Sequence, residues 1–228
     1  MTSNVLITGA GRGIGLELAR QYAADGWRVR ATCRDTKGAS ALEGVYGDVL
    51  IHRLDVTEGV QVAALARDLK GEPIDLLINN AGMTGARDRS FGNLDYDIWE
   101  EVFRVNALAP VRVAEALVDL VAASERKLIV SISSRMGSID ANNDGGSYSY
   151  RSSKAALNAA MKSLSIDLAG REIMVVVFHP GWVRTDMGGK SASLSAKQSA
   201  EEMRAVIDRL TLSDSGRFLN YDGTDIPW

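Results

Sequence analysis

Seven apolar runs alternate with longer stretches of helical periodicity, and this alternation constrains the fold more than any other feature of the chain. The runs are Val5-Thr8, Val29-Cys33, Val49-Arg53, Ile74-Asn79, Leu128-Ser133, Met174-His179 and Arg217-Tyr221. Several are apolar throughout, as strands are when helices cover both of their faces. Right-handed strand-helix-strand crossovers then predict an α/β fold built on a doubly wound, seven-stranded parallel sheet in three layers (αβα). Helices are expected near 14–25, 58–70, 96–123, 148–169 and 197–210. Pro110 falls inside the long 96–123 pattern and should kink or split it, because proline lacks a backbone donor and clashes with the preceding turn.

No Pro/Gly/Ser-rich linker, repeat or low-complexity tract interrupts the chain, so residues 1–228 are read as a single domain. The most irregular stretches, 83–95, 135–147 and 181–196, all follow strands, where open α/β sheets bind ligands. Net charge is -3, with acidic and basic residues scattered rather than blocked. Neither a nucleic-acid stripe nor a polybasic membrane anchor is visible, which leaves a small molecule as the expected partner. Cys33 is the single cysteine, excluding an internal disulfide and any multi-cysteine metal site, and no metal is expected. The short apolar run at residues 1–8 leads straight into glycines and lacks the charged start and length of an export or membrane segment; a cytoplasmic location is the default expectation.

Thr8-Gly9-Ala10-Gly11-Arg12-Gly13-Ile14-Gly15 follows a strand and opens a helix. Glycines there let backbone approach a pyrophosphate at the helix N-terminus, although a lone glycine-rich turn is weak evidence. Tyr150 and Lys154 stand four residues apart, which on a helix puts a phenol and an ammonium on one face. An isolated tyrosine keeps its proton until about pH 10, but a neighbouring cation favours the phenolate and eases proton exchange near neutrality. Such a pair is common by chance on solvated helices; it gains weight from its company.

The glycine turn, Asn79-Asn80-Ala81-Gly82, the Tyr150-Lys154 pair and Pro180-Gly181-Trp182-Val183-Arg184-Thr185 occur in one order, and the chain resembles the short-chain dehydrogenase/reductase family over nearly its whole length. The resemblance implies a Rossmann-type fold and a nicotinamide cofactor. It assigns Gly9, Gly13, Ile14 and Gly15 to the pyrophosphate turn, Asp55 and Val56 to the adenine side, and Asn80, Ala81 and Gly82 to the segment beside the cofactor. Val183 and Thr185 would hold the nicotinamide amide, in the cofactor-binding segment that opens with Pro180 and Gly181. Asn106, Tyr150 and Lys154 match three catalytic positions, and a serine closing the fifth strand is the fourth. Ser134 is preferred and Ser133 stays open, because the Ser134-Tyr150 interval of 16 residues is longer than the family usually shows. In the implied chemistry Tyr150 protonates a carbonyl oxygen that Ser134 holds, Lys154 perturbs Tyr150 and binds the nicotinamide ribose, and Asn106 supports a water relay. His179 is read as structural.

The position at which the family places an NAD-selecting acid falls on Cys33. Its neighbour Arg34, together with Arg12 in the glycine turn, would instead cradle the extra phosphate of NADP(H). A second strand two residues longer would bring Asp35 into the acid's place and favour NAD.

Fragments around Ser133-Ser134-Arg135-Met136-Gly137-Ser138-Ile139, Lys154-Ala155-Ala156-Leu157-Asn158 and the Asn220 to Trp228 ending are similar to the sniffer and C-factor branch of the family. That branch implies an NADPH-dependent carbonyl reductase acting on a ketone, aldehyde or quinone. An NAD-dependent alcohol dehydrogenase or an NADP-binding signalling protein are the alternatives. Met83, Met136, Trp182, Met187 and Leu194 are candidate apolar pocket contacts, or equally core. The family further implies a homodimer or homotetramer through helices at about 100–123 and 148–169. Trp99 and Phe103, four apart on one helical face, either face a partner subunit or lie in the monomer core, and the core is the expectation.

Overall fold

Continuous apolar strands need cover on both faces, and helices supply it. The computed structural model describes residues 2–85 and 91–228, with 36–38 described by backbone alone. The elements run β1 (Asn4–Ile7), α1 (Gly13–Ala24), β2 (Arg28–Cys33), α2 (Thr36–Glu43), β3 (Val49–Arg53), α3 (Gly59–Asp68), β4 (Leu76–Asn79), α4 (Tyr96–Phe103), α5 (Ala109–Ala122), β5 (Leu128–Ile132), α6 (Tyr148–Asp167), β6 (Met174–His179), β7 (Val183–Arg184), β8 (Leu194–Ser195), α7 (Ala196–Arg209) and β9 (Phe218–Asn220). Seven strands form one sheet in the order β3-β2-β1-β4-β5-β6-β9, and every pairing is parallel. The order reverses between β1 and β4, the crevice where doubly wound sheets take their ligands.

Alternation along the strands feeds two separate cores. Val5, Ile7, Val130 and Phe178 pack on one face with Leu18 and Tyr22 of α1 and Met203 of α7. Leu6, Ile129, Val175 and Val177 pack on the other with Leu65 of α3, Leu117 of α5 and Leu157 of α6. Each fully buried large apolar side chain contributes about 1.5–3 kcal/mol, so both layers are needed to hold the sheet.

The expected strands appear with shifted ends. β1 runs from Asn4 to Ile7 and leaves Thr8 outside it, β4 begins at Leu76 rather than Ile74, β5 stops at Ile132, and β9 spans only Phe218–Asn220. The 96–123 pattern does split, but upstream of the proline. Residues 104–108 form a π-helical turn, in which Ala109 N–H reaches back to the Arg104 carbonyl, and Pro110 then sits in the first turn of α5. Proline at 110 cannot donate to residue 106 and its ring would clash there, and the widened turn relieves both problems. Trp99 and Phe103 are a correction: both are half-buried and line a surface groove with Tyr96, Glu100, Arg104 and Leu108 rather than entering the core. No helix among the described residues is long and apolar enough to cross a membrane.

Candidate active site

β1 ends beneath the glycine turn, and two left-handed glycines carry the chain across it: Gly9 at φ +64° and Gly13 at φ +57°. A Cβ on Gly9 would lie 2.8 Å from Ala81 Cα, and one on Gly15 only 2.4 Å from Asn80 Nδ2. The turn therefore rests directly on the segment after β4. Thr8 Oγ1 accepts from the backbone N–H groups of Asn80 and Ala81 at 3.0 and 3.1 Å, while Asn80 Nδ2 donates to the carbonyls of Thr8 and Gly9 at 2.9 and 3.1 Å. No side chain among the described residues caps the N-terminus of α1 at Arg12. Uncapped N–H groups above a glycine cradle fit a bound diphosphate, since the helix dipole and the orphan donors both favour an anion there.

The second strand closes at Cys33, so Asp35 lies two residues past the sheet and Arg34 takes the first loop position with its side chain exposed. Cys33 is buried, and burial followed by the charge of Asp35 raises its thiol pKa. Asp55 accepts from both the amide and the hydroxyl of Thr57, at 2.9 and 2.7 Å. Burial alone would raise its carboxyl pKa, but the Thr57 bonds and nearby Arg34 more than offset that and hold it below the usual value. Val56 is buried beside it. Arg12 is paired with Asp186 at 3.1 Å, both side chains being at least 73% exposed. An exposed pair of this kind is worth at most about 1 kcal/mol, so a phosphate dianion can displace Asp186 from the guanidinium.

Asn106 lies in the π turn and is fully buried. Its amide is committed: Oδ1 accepts from Met83 N–H at 2.9 Å, and Nδ2 donates to Met83 O at 2.8 Å and to Ser153 Oγ at 3.0 Å. These bonds tie the loop after β4 to α6. On α6, Lys154 is buried, its Nζ donating to the Ile132 carbonyl at 2.8 Å and standing 5.9 Å from the centre of the Tyr150 ring. Burial lowers its pKa to about 8. A Cβ on Gly82 would lie 3.3 Å from Asn106 Oδ1 and 3.6 Å from Lys154 Nζ, so glycine keeps this space open.

The two serines after β5 differ in what their hydroxyls do. Ser133 Oγ donates to Asn158 Oδ1 at 2.6 Å and is spent. Ser134 Oγ accepts from Met136 N–H at 3.2 Å, capping the 3-10 turn Arg135–Gly137, and among the described residues its own hydrogen is kept for donation. His179, at the end of β6, is neutral at physiological pH, because burial and then Arg135 lower its pKa to about 4.

Beyond β6, Ser199 Oγ holds the Pro180 carbonyl at 2.6 Å, and Gly181 turns the chain at φ +82°. Val183 is buried in the short β7–β8 pair, and Thr185 Oγ1 accepts from Gly188 N–H at 3.0 Å. Thr185 Cγ2 would be 3.3 Å from a Cβ on Gly13, which sets this segment against the glycine turn. Of the candidate apolar contacts, Trp182 and Met187 are exposed and Met83, Met136 and Leu194 half-buried. Residues 86–90 of the expected 83–95 wall lie outside the described residues. Sequence reasoning missed Asp186, whose partner Arg12 is 174 positions away, and it missed the Asn106-Ser153 bond.

The short chain dehydrogenase family model matches residues 3–195. The C-signal of Myxococcus xanthus is 46% identical over 165 residues, covering 72% of this chain and 99% of that protein. A 1-hydroxy-2-glutathionyl-2-methyl-3-butene dehydrogenase from Rhodococcus sp. (strain AD45) is 35% identical over 99% of this chain and 100% of its own. Among solved structures, carbonyl reductase Sniffer of D. melanogaster superposes with a TM-score of 0.93 at 34% identity, covering all of both chains. An NADPH-bound carbonyl reductase from chicken fatty liver gives 0.92 at 33% identity, covering 100% of this chain and 99% of that one. With its seven-stranded parallel sheet and this ordered set of motifs, the chain belongs to the short chain dehydrogenase family.

Proposed function

We propose that this chain reduces a ketone, aldehyde or quinone to the corresponding alcohol with NADPH, Tyr150 delivering the proton to the carbonyl oxygen. The observation that carries the reading is that buried Lys154 stands 5.9 Å from the centre of the Tyr150 ring and borders, with Asn106, the space left at Gly82, next to the Ala81 on which Gly9 packs. The carbonyl reductases among the structural relatives, one of them NADPH-bound, support both the reaction class and the cofactor.

Gly9, Gly13, Ile14 and Gly15 would hold the diphosphate, Arg34 and Arg12 the extra phosphate, Asp55 and Val56 the adenine, and Asn80, Ala81 and Gly82 the flank of the cofactor. Val183 and Thr185 would hold the nicotinamide amide, in the cofactor-binding segment that opens with Pro180 and Gly181. NADPH, when bound, supplies the hydride. Tyr150 gives up its phenolic proton, and the Lys154 ammonium stabilises the phenolate left behind. Lys154 would also donate to the nicotinamide ribose hydroxyls. Ser134 donates to the carbonyl oxygen as negative charge builds on it. Asn106, its amide already committed to Met83 and Ser153, would support the water relay that returns the proton.

Cytoplasmic location and assembly as a dimer or tetramer belong to the same reading, with the groove at Trp99 and Phe103 as the surface for a second copy. The test is a titration of NADPH and NADH followed by a panel of aldehydes, ketones and quinones. The reading predicts tighter NADPH binding and alcohol formed in step with NADPH oxidised; preference for NADH would return the specifying role to Asp35. A second reading, an NADP-binding signalling protein, draws on the likeness to the C-signal. It would be favoured if signalling survived Tyr150→Phe and failed only in variants that no longer bind the cofactor.

A further inference from the structure

In the reaction proposed above, the donor to the substrate oxygen is Ser134, yet the bond that orients its hydroxyl, from Met136 N–H at 3.2 Å, lies within its own turn. Its direction therefore follows the direction of the turn. Asn158 fixes that turn on both sides. Its Oδ1 accepts from Ser133 Oγ at 2.6 Å, one residue before Ser134, and its Nδ2 donates to the Gly137 carbonyl at 3.3 Å, three residues after. Ser133 and Asn158 are 2% and 3% exposed, so neither group has bulk water as an alternative partner.

Asn158 stands four residues beyond Lys154 and eight beyond Tyr150, on the same face of α6. The strand end is also joined to that face through Lys154 Nζ and the Ile132 carbonyl. Gly137 completes the contact: a Cβ there would lie 2.8 Å from the Lys154 carbonyl carbon, so only glycine lets the turn settle against the helix backbone. A hydrophobic pair at 133 and 158 would fill the same space without burying polar atoms, but it would leave the turn free to rotate about β5. We infer that Ser133 and Asn158 are positioning residues, a hydrogen-bonded bracket that holds the Ser134 hydroxyl at a fixed distance from the Tyr150 phenol.

This inference rests on the carbonyl-reductase reading, and the experiment separates the two. NADPH affinity and steady-state reduction of the best carbonyl of the panel are measured for the full-length wild type, Asn158→Ala, Ser133→Ala, Ser134→Ala and the two double variants that contain Ser134→Ala. A misplacement near 1 Å costs about 100-fold, so Asn158→Ala lowers kcat by about that factor while NADPH affinity holds. In the Ser134→Ala background the same change lowers the residual kcat by less than about threefold, because a bracket with nothing to hold has no further effect. Ser133→Ala, which deletes one hydroxyl and keeps the fold if Asn158→Ala does not, shows the same non-additivity at smaller size. Unchanged kcat in the single variants, or equal losses with and without Ser134, would overturn the bracket. A wild type without turnover would overturn the reading beneath it.

Discussion

Thr8→Val tests whether the glycine turn and the segment after β4 form one unit. Thr8 is 1% exposed, and its hydroxyl oxygen accepts from two backbone N–H groups, those of Asn80 and Ala81. Valine preserves the shape and removes the acceptor. Each buried donor left without a partner costs about 1–3 kcal/mol; since Asn80 and Ala81 are only half-buried, water recovers part of it and the total is about 2–3 kcal/mol. For a chain of this size that lowers Tm by about 4–12 °C. Thr8→Ser keeps the oxygen and loses one methyl, a cost of about 1 kcal/mol. Urea unfolding gives the stabilities, and NADPH titration shows whether the turn has moved. The reasoning fails if Thr8→Val costs no more than Thr8→Ser, or if it weakens neither stability nor cofactor binding.

Further outcomes follow from the charges at the site. Arg34→Ala should weaken NADPH about 10–100-fold, the worth of a charge-assisted bond, and leave NADH within about twofold; equal loss for both cofactors in a binding titration would remove Arg34 from phosphate recognition. Lys154, lowered by burial to about 8, is charged below that pH and loses its charge above it, so NADPH affinity should fall as pH rises through 8, and Lys154→Met should flatten that dependence. The same depression means that the unfolded chain holds this proton up to its ordinary value of 10.5, so the contribution of Lys154 to stability improves with pH between 8 and 10.5, opposite in sign to the binding effect.

The strands were legible because parallel strands buried on both faces must be apolar along their whole length, and β3 and β6 fall on the expected residues. Strand ends shifted by one or two residues, as at Ile74, because pairing with the neighbouring strand and not the strand's own pattern sets where it stops. α2 was not foreseen: its eight residues, Thr36–Glu43, include a glycine, and of the side chains described there only Leu42 is strongly buried, too little for a helical period. β7 and β8, at two residues each, carry no period. For the site, spacing alone placed Tyr150 and Lys154 on one face, since four residues on a helix is a distance. Sequence could not choose between Ser133 and Ser134, because the difference lies in Asn158, 25 positions from Ser133. Nor could it show that the Asn106 amide is used up by Met83 and Ser153, a consequence of where the π turn sets it.

If Tyr150 supplies the proton in an NADPH-driven carbonyl reduction, turnover depends on its phenolic hydroxyl. Single-turnover oxidation of bound NADPH by the best carbonyl of the panel, in wild type and in Tyr150→Phe, tests it most directly. Turnover in the variant should be at least about 100-fold slower, as loss of a general acid requires, with NADPH affinity little changed. Turnover by Tyr150→Phe at the wild-type rate would contradict it.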